Sequence, residues 1–296
     1  MFGMKILCAA CSDLSKAAEI REKGADEIIL ACANQTFTAM KEYPVETILS
    51  FIPEGHDMGL RVSVMMNRLY GQEEIHSAWK VMKQLTDHDV DGIYFADPGL
   101  FNGSLKDHQA NRMIYEPETL LTSYEDASFW MEQGVQSTVI SPLLTEEEIL
   151  NIADQVPHTS LIIHGRQLMS VSRRHLLQAY ADASGKDVSF QNRRHLYMRE
   201  KKREGYMPVY ENAYGTMIYT DFIQESFDEM PAFMEHGVER FILQDGELPS
   251  AAYLDAISAY RKILDGQNAK KTGEEYRKRY RDLPLSNGYY GQKTIR

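Results

Sequence analysis

The chain has 296 residues, 43% of them apolar and 25% charged, with a net charge of −11. That length buries a real core, as one large domain or two small ones, and the composition is that of a soluble globular protein. Nothing approaches the roughly 18–20 apolar residues of a membrane span, and the acidic balance argues against general affinity for nucleic acid.

The opening MFGMKILCAACSDLS reads as a first strand, not a signal peptide. With three cysteines and no export signal, the expectation is the cytoplasm without disulfides. The first strand covers 4–10, and a helix runs from Asp13 to Lys23, capped by Ser12 or Asp13 and closed by Gly24. Residues 27–33 form the second strand, 44–54 a helix and 61–66 the third strand. A helix at 72–87 leads to the fourth strand, 92–96, and 112–115 reads as the fifth. A helix at 124–133, a strand at 137–140, a helix at 145–155 and a strand at 160–164 follow. The rhythm then breaks over 165–215, a polar, basic excursion with helical pieces near 173–181 and 194–204 and a short strand at 216–220. It returns with a helix at 226–236, a strand at 240–243 and a helix at 250–264. A basic helix and an extended tail occupy 266–296.

Eight short apolar strands alternating with helices predict a (β/α)8 barrel over 1–265, carrying the excursion, with the C-terminal helix and tail after it. In such barrels the site lies at the carboxyl ends of the strands. The residues just past those ends are Cys11 and Ser12, Cys32 and Asn34, Asn67, Asp97, Glu116 and Glu118, Ser141, His164, and Asp245 and Glu247. Each is able to cap a helix; together they outline a polar mouth.

Three chemistries compete there. Cys8-Ala-Ala-Cys11 and Cys32 end neighbouring strands and are weak candidates for a soft metal, although alternation sends Cys8 and Cys11 to different faces and buried cysteine is a common small core residue. His164 with Ser170 or Ser172 offers a base and a nucleophile, but neither a G-x-S-x-G elbow nor an H-E-x-x-H helix is present. Anion binding reads better. Arg166, Arg173, Arg174, Arg193 and Arg194 supply planar forks for carboxylate or phosphate, and SRRH at 172–175 is echoed by NRRH at 192–195, placing His175 and His195 alike. From Arg166 to Glu204 there are ten Lys/Arg against four Asp/Glu, a net +6. From Arg261 to Arg281 there are eight against three, a net +5. The competing reading makes these a solvated helix and tail whose arginines pair with the acidic body.

The series MKILCAACSDLSKAAEIREKGADEIILA, RVSVMMNRLY, FADPGL, HGRQLMSVSRRHLL and VERFILQDGELPSAAYLDAISAYRKIL resembles peptidase family U32, the collagenase-like peptidases. The resemblance implies roles for His164, Gly165, Ser172, Arg174, Asn67, Asp97 and Asp245. Many members bind an iron–sulfur cluster through four cysteines, two in the His-Gly stretch and two shortly after. Here Leu168 and His175 stand at the first pair and no cysteine follows Cys32, so that cluster cannot form and no cofactor is expected. The family's Glu-Gly-Arg is Asp245-Gly246-Glu247.

The resemblance implies either collagenase-type proteolysis or oxygen-independent hydroxylation, including prephenate-dependent formation of 5-hydroxyuridine at the tRNA wobble position. A short member of about this length is paired in some bacteria with a longer one. The expected function is therefore a subunit or accessory of tRNA hydroxylation. It would bind a small anionic ligand through Arg166, Arg173, Arg174, His175, Asn67, Glu116, Arg193 and Arg194, and tRNA through the basic region. The alternatives are a peptidase using His164 with Ser172, Asp245 or Asp97, and a non-catalytic partner of a longer member.

Overall fold

The computed structural model describes residues 5–38, 41–201, 205–246 and 248–293. Eight parallel strands close into a barrel: β1 (Ile6–Ala10), β2 (Glu27–Cys32), β3 (Arg61–Met66), β4 (Gly92–Phe95), β5 (Met113–Tyr115), β6 (Ser137–Ile140), β7 (Thr159–Gly165) and β8 (Val238–Leu243). Strand β8 pairs with both β1 and β7, which completes the ring and confirms the (β/α)8 expectation. Helices α1 (Ala17–Glu22), α2 (Val45–Asp57), α3 (Ile75–Asp87), α4 (Pro98–Lys106), α5 (Tyr124–Glu132) and α6 (Glu146–Gln155) cover the outside. After the excursion, which carries α7 (Leu176–Ala183), come α8 (Met230–Glu235), α9 (Ser250–Leu264) and α10 (Ala269–Arg279).

Local chemistry sets several boundaries. Thr145 and Glu148 form a reciprocal capping box at the start of α6, and Ser123 caps α5. Helix α4, absent from the sequence reading, is started by Asp97 as cap and Pro98 in its first turn. Its glycines disguise it. A Cβ on Gly103 would sit 2.5 Å from the Trp79 ring, so close approach of α3 and α4 requires glycine there.

Alternation along the strands divides two cores. Cys8, Ile29, Met65, Tyr94 and one residue from each of the other four strands fill the barrel. Below them the buried Glu27 carboxylate accepts from Arg240, Arg61 and the Tyr94 hydroxyl, closing the amino-terminal end with paired charge. Outward-facing Leu7, Ile28, Val62 and Phe241 pack against the helical layer.

The excursion is a four-stranded antiparallel sheet in the order 196–198, 207–212, 215–219, 168–172. The strand expected at 216–220 is present as Gly215–Tyr219, and the sheet runs past residue 215. The helix expected over 194–204 is overturned: Leu196–Met198 is an edge strand whose Leu196 and Met198 pair with Val209 and Met207. Residues 202–204 lie outside the described residues. Strand pairing over a short segment overrides weak helical periodicity. The buried Glu211 carboxylate accepts from Leu177 N at 2.8 Å and Gln178 N at 3.2 Å, capping α7 from the sheet.

Residues after α9 share the main core. Tyr276 and Tyr290 are buried in it, and Leu285–Ser286 pairs with the short strand Ile223–Glu225, which itself pairs with β7. Among the described residues, no helix is long and apolar enough to cross a membrane.

Candidate functional site

The small sheet roofs the carboxyl ends of the barrel strands. Phe37, Leu168 and Met217 form a separate apolar cluster that ties the sheet to the loop after β2. The buried guanidinium of Arg68, past β3, lies 4.6 Å from the Tyr70 ring centre and 4.0 Å from that of Tyr214, and pairs with Glu74 at 2.6 Å. This stacked cation pins the hairpin bearing Tyr214 to the mouth.

Between roof and barrel lies a narrow cleft lined by Arg166, Arg193, Arg194, His195, Tyr210, Glu118 and Gln244 among others. Arg166, just past β7, donates to the Thr220 carbonyl at 2.7 Å. Arg194 stacks 4.6 Å from the centre of the Tyr210 ring. Arg193 and Arg194 are bracketed by two left-handed non-glycine residues, Asn192 at φ 57° and His195 at φ 58°. Each such conformation costs about 1–3 kcal/mol and persists where the surroundings enforce it. Here Asn192 N donates to the Glu211 carbonyl at 2.7 Å, and its side-chain oxygen accepts from the Tyr210 hydroxyl at 3.1 Å.

Glu118 of the same lining belongs to a carboxyl pair with Glu116. Asn67 donates through one nitrogen to Glu116 at 2.8 Å and to Glu118 at 2.7 Å. Its oxygen accepts from the Thr36 hydroxyl at 2.7 Å and from Phe37 N at 3.1 Å, which fixes the amide. Burial, and then the Glu118 charge, pushes the Glu116 carboxyl well above the usual range. Burial raises Glu118 to about 7.

The other expected residues are distributed differently. His164 faces outward, not into the mouth. A register shift between β7 and β8 sets it opposite outward-facing Leu243, and its ring packs among Tyr260, Tyr276 and Phe227 with no exposed surface. Desolvation lowers it to about 3, so the imidazole is neutral. The Ser172 hydroxyl accepts from Arg174 N at 3.1 Å in the small sheet and is not among the ring's partners. Asp97 spends its carboxylate on backbone: Gly99 N and Leu100 N on one oxygen, Tyr70 N on the other. Asp245 accepts from Ser12 N at 2.7 Å and Ser12 Oγ at 3.0 Å, fastening the end of β8 to the loop after β1.

Of the two Arg-Arg-His triplets, only the second lines the cleft. Arg173, Arg174 and His175 are exposed at the far end of strand 168–172. Glu247 lies outside the described residues. The signal for Glu118 was its place two residues after Glu116; its importance comes from sharing Asn67, which spacing does not reveal.

The three thiols do not converge. Cys8 points into the barrel, while Cys11 and Cys32 belong to the outer core, and burial pushes the latter two up to about 12. The donor set also does not fit a family-type iron–sulfur cluster. Leu168 packs against Phe37 and Met217, and His175 is exposed, so these positions provide neither thiolates nor a common centre.

Comparison with known proteins agrees with this architecture. The sequence model of peptidase family U32 matches residues 12–294. The chain is 22% identical over 229 residues to the tRNA hydroxylation protein P2 of Bacillus subtilis, covering 76% of this chain and 74% of that protein. It is 25% identical over 142 residues to the tRNA hydroxylation protein P of Escherichia coli, covering 47% of this chain but only 31% of that longer protein. A solved U32 peptidase structure superposes with a TM-score of 0.51 at 19% identity, covering 84% of this chain and 96% of that one, and supports the fold.

Proposed function

The chain belongs to peptidase family U32, and from that membership we propose that it serves tRNA hydroxylation, holding a small anionic ligand at the barrel mouth. The observation that carries the ligand half of this reading is the convergence of Arg166, Arg193 and Arg194 on one cleft roofed by aromatic side chains. Guanidinium forks pair with carboxylates in a bidentate fashion, and two or three of them suit a dicarboxylate such as prephenate, the hydroxyl source implied by the family resemblance. The names of the curated relatives support the tRNA half.

The basic residues that flank the edge strand Leu196–Met198 suit a nucleic-acid backbone. Tyr197 is exposed between Arg193 and Arg194 on one side and Arg199 and Lys201 on the other, and Tyr206 is exposed further along the chain, a combination of stacking faces and cations. A longer family member is the proposed partner, tested by co-purification from native lysate. The geometry lends no support to serine–histidine proteolysis, since the His164 ring is sealed in the outer core and Ser172 lies in the small sheet.

Mass spectrometry of tRNA from a strain lacking the gene is expected to show loss of wobble 5-hydroxyuridine; an unchanged level would sink the reading. The Arg194→Ala protein, complementing that strain, is expected to restore little of the modification.

A further inference from the structure

Glu116 and Glu118 are tied together by a single amide nitrogen of Asn67, at 2.8 and 2.7 Å. That nitrogen carries two protons, one for each carboxyl group. The rest of the environment is poor in compensation. Glu116 is 2% exposed, and its second oxygen is buried with no hydrogen-bond partner. Glu118 holds a left-handed backbone at φ 58°, which turns it toward the cleft that the arginines line. A second, more apolar cavity reaches the same residue from the side of Leu120 and Val171. Two like charges sharing one buried donor do not both persist; one carboxyl keeps a proton.

We propose that Glu116 and Glu118 share one proton at neutral pH and that the mouth takes up its anion together with that proton. The inference rests on the anion-binding reading of the cleft. A second negative charge on the pair would repel an incoming carboxylate, whereas a protonated carboxyl at Glu118 presents a donor to it. The arginines and Glu118, which line one cleft, then hold the ligand between fixed positive charge and a removable proton. Asn67 holds the pair and is itself fixed by Thr36, while Arg166, Arg193, Arg194 and His195 share the cleft lining with Glu118. By linkage, anion affinity falls as pH rises through the pair's titration.

Infrared difference spectroscopy of the full chain, titrated with pH, reads the protonated carboxyl directly. Wild type is expected to keep a protonated-carboxyl band at neutral pH. In Glu118→Gln the midpoint of the remaining Glu116 band is expected to move down by about one pH unit or more, because the neighbouring charge is gone. Absence of the band from wild type at neutral pH, or an unmoved midpoint in Glu118→Gln, overturns the proposal.

Glutamine keeps the oxygen that accepts from Asn67, and matched far-ultraviolet circular dichroism checks the fold. Malonate is the ligand probe. Its affinity is expected to fall about tenfold per pH unit above the wild-type midpoint and to be nearly flat in Glu118→Gln. A wild-type affinity independent of pH also overturns the proposal. Failure of malonate to bind at any pH, with the band behaving as expected, sustains the shared proton and overturns the anion-binding reading instead.

Discussion

Two buried titratable groups pull the stability of this protein in opposite directions. Glu118 rises from 4.5 to about 7 on folding, through burial. The native state then binds the proton more tightly than the unfolded chain, so stability is lost as pH rises from about 4.5 through 7. His164 falls from 6.5 to about 3, also through burial. Here the unfolded chain takes the proton, so stability is lost as pH falls below 6.5. Between pH 5 and 6.5 each slope is at most about 1.4 kcal/mol per unit, and the two offset one another. Urea denaturation is therefore expected to give a steeper rise of stability with pH in Glu118→Gln than in wild type over that window. An identical slope would mean that Glu118 titrates normally. The Asn67 amide works on the same pair from the other side, since its hydrogen bond favours the charged Glu118. Asn67→Ala is expected to destabilise by about 1–3 kcal/mol, because Thr36, Phe37 and both carboxyls lose their partner, and to hold the Glu118 proton to higher pH.

At the level of elements, the junction of β7 with the small sheet carries the site. Gly165 has φ +113°, and a Cβ there would meet the Gln244 carbonyl oxygen at 2.7 Å. Gly165→Ala is expected to cost about 1–3 kcal/mol and to weaken malonate binding, since Arg166 and Gln244 on either side both line the cleft. Isothermal titration and urea denaturation check the two effects separately. Every barrel strand was legible in the sequence, because each is a short β-branched or apolar run with a polar end, and four of them follow a helix closed by Gly24, Gly59, Gly134 or Gly237. The small sheet was mostly illegible. Its strands are three to six residues long, and its register joins 168–172 to 215–219 across more than 40 residues of chain. His164 was misplaced for a related reason: alternation along β7 turns it inward, and only pairing with β8 shows the slip that turns it out. Arg193 and Arg194 were legible as candidates, but their separation from Arg173 and Arg174 depended on the hairpin that brings only one triplet over the mouth.

The whole molecule carries −11, yet residues 166–204 carry a net +6. An anionic polymer is repelled by most of the surface and attracted to one part of it, so any tRNA contact is confined in space and strongly dependent on salt. Each phosphate contact contributes about 0.7–0.9 to the slope of log affinity against log salt. Arg199 and Lys201 follow the edge strand Leu196–Met198 and do not line the cleft. Replacing both by alanine is expected to lower the magnitude of that slope for unmodified tRNA by about 1.5, while leaving malonate affinity unchanged. Lys270 and Lys271, on α10, belong to the second basic segment. That helix is held against the barrel through Arg277, which pairs with Glu225 at 2.7 Å and with Asp228 at 2.9 Å. Alanine at Lys270 and Lys271 is expected to leave the slope where it was. If the α10 variant changes the slope and the Arg199 and Lys201 variant does not, tRNA docks on the helical side. The anion cleft and the nucleic-acid surface would then be separate features of the barrel. If the first variant alone changes it, the segment 193–201 that presents Arg193 and Arg194 to the small anion also guides the polynucleotide past the mouth, and a single basic segment serves both ligands.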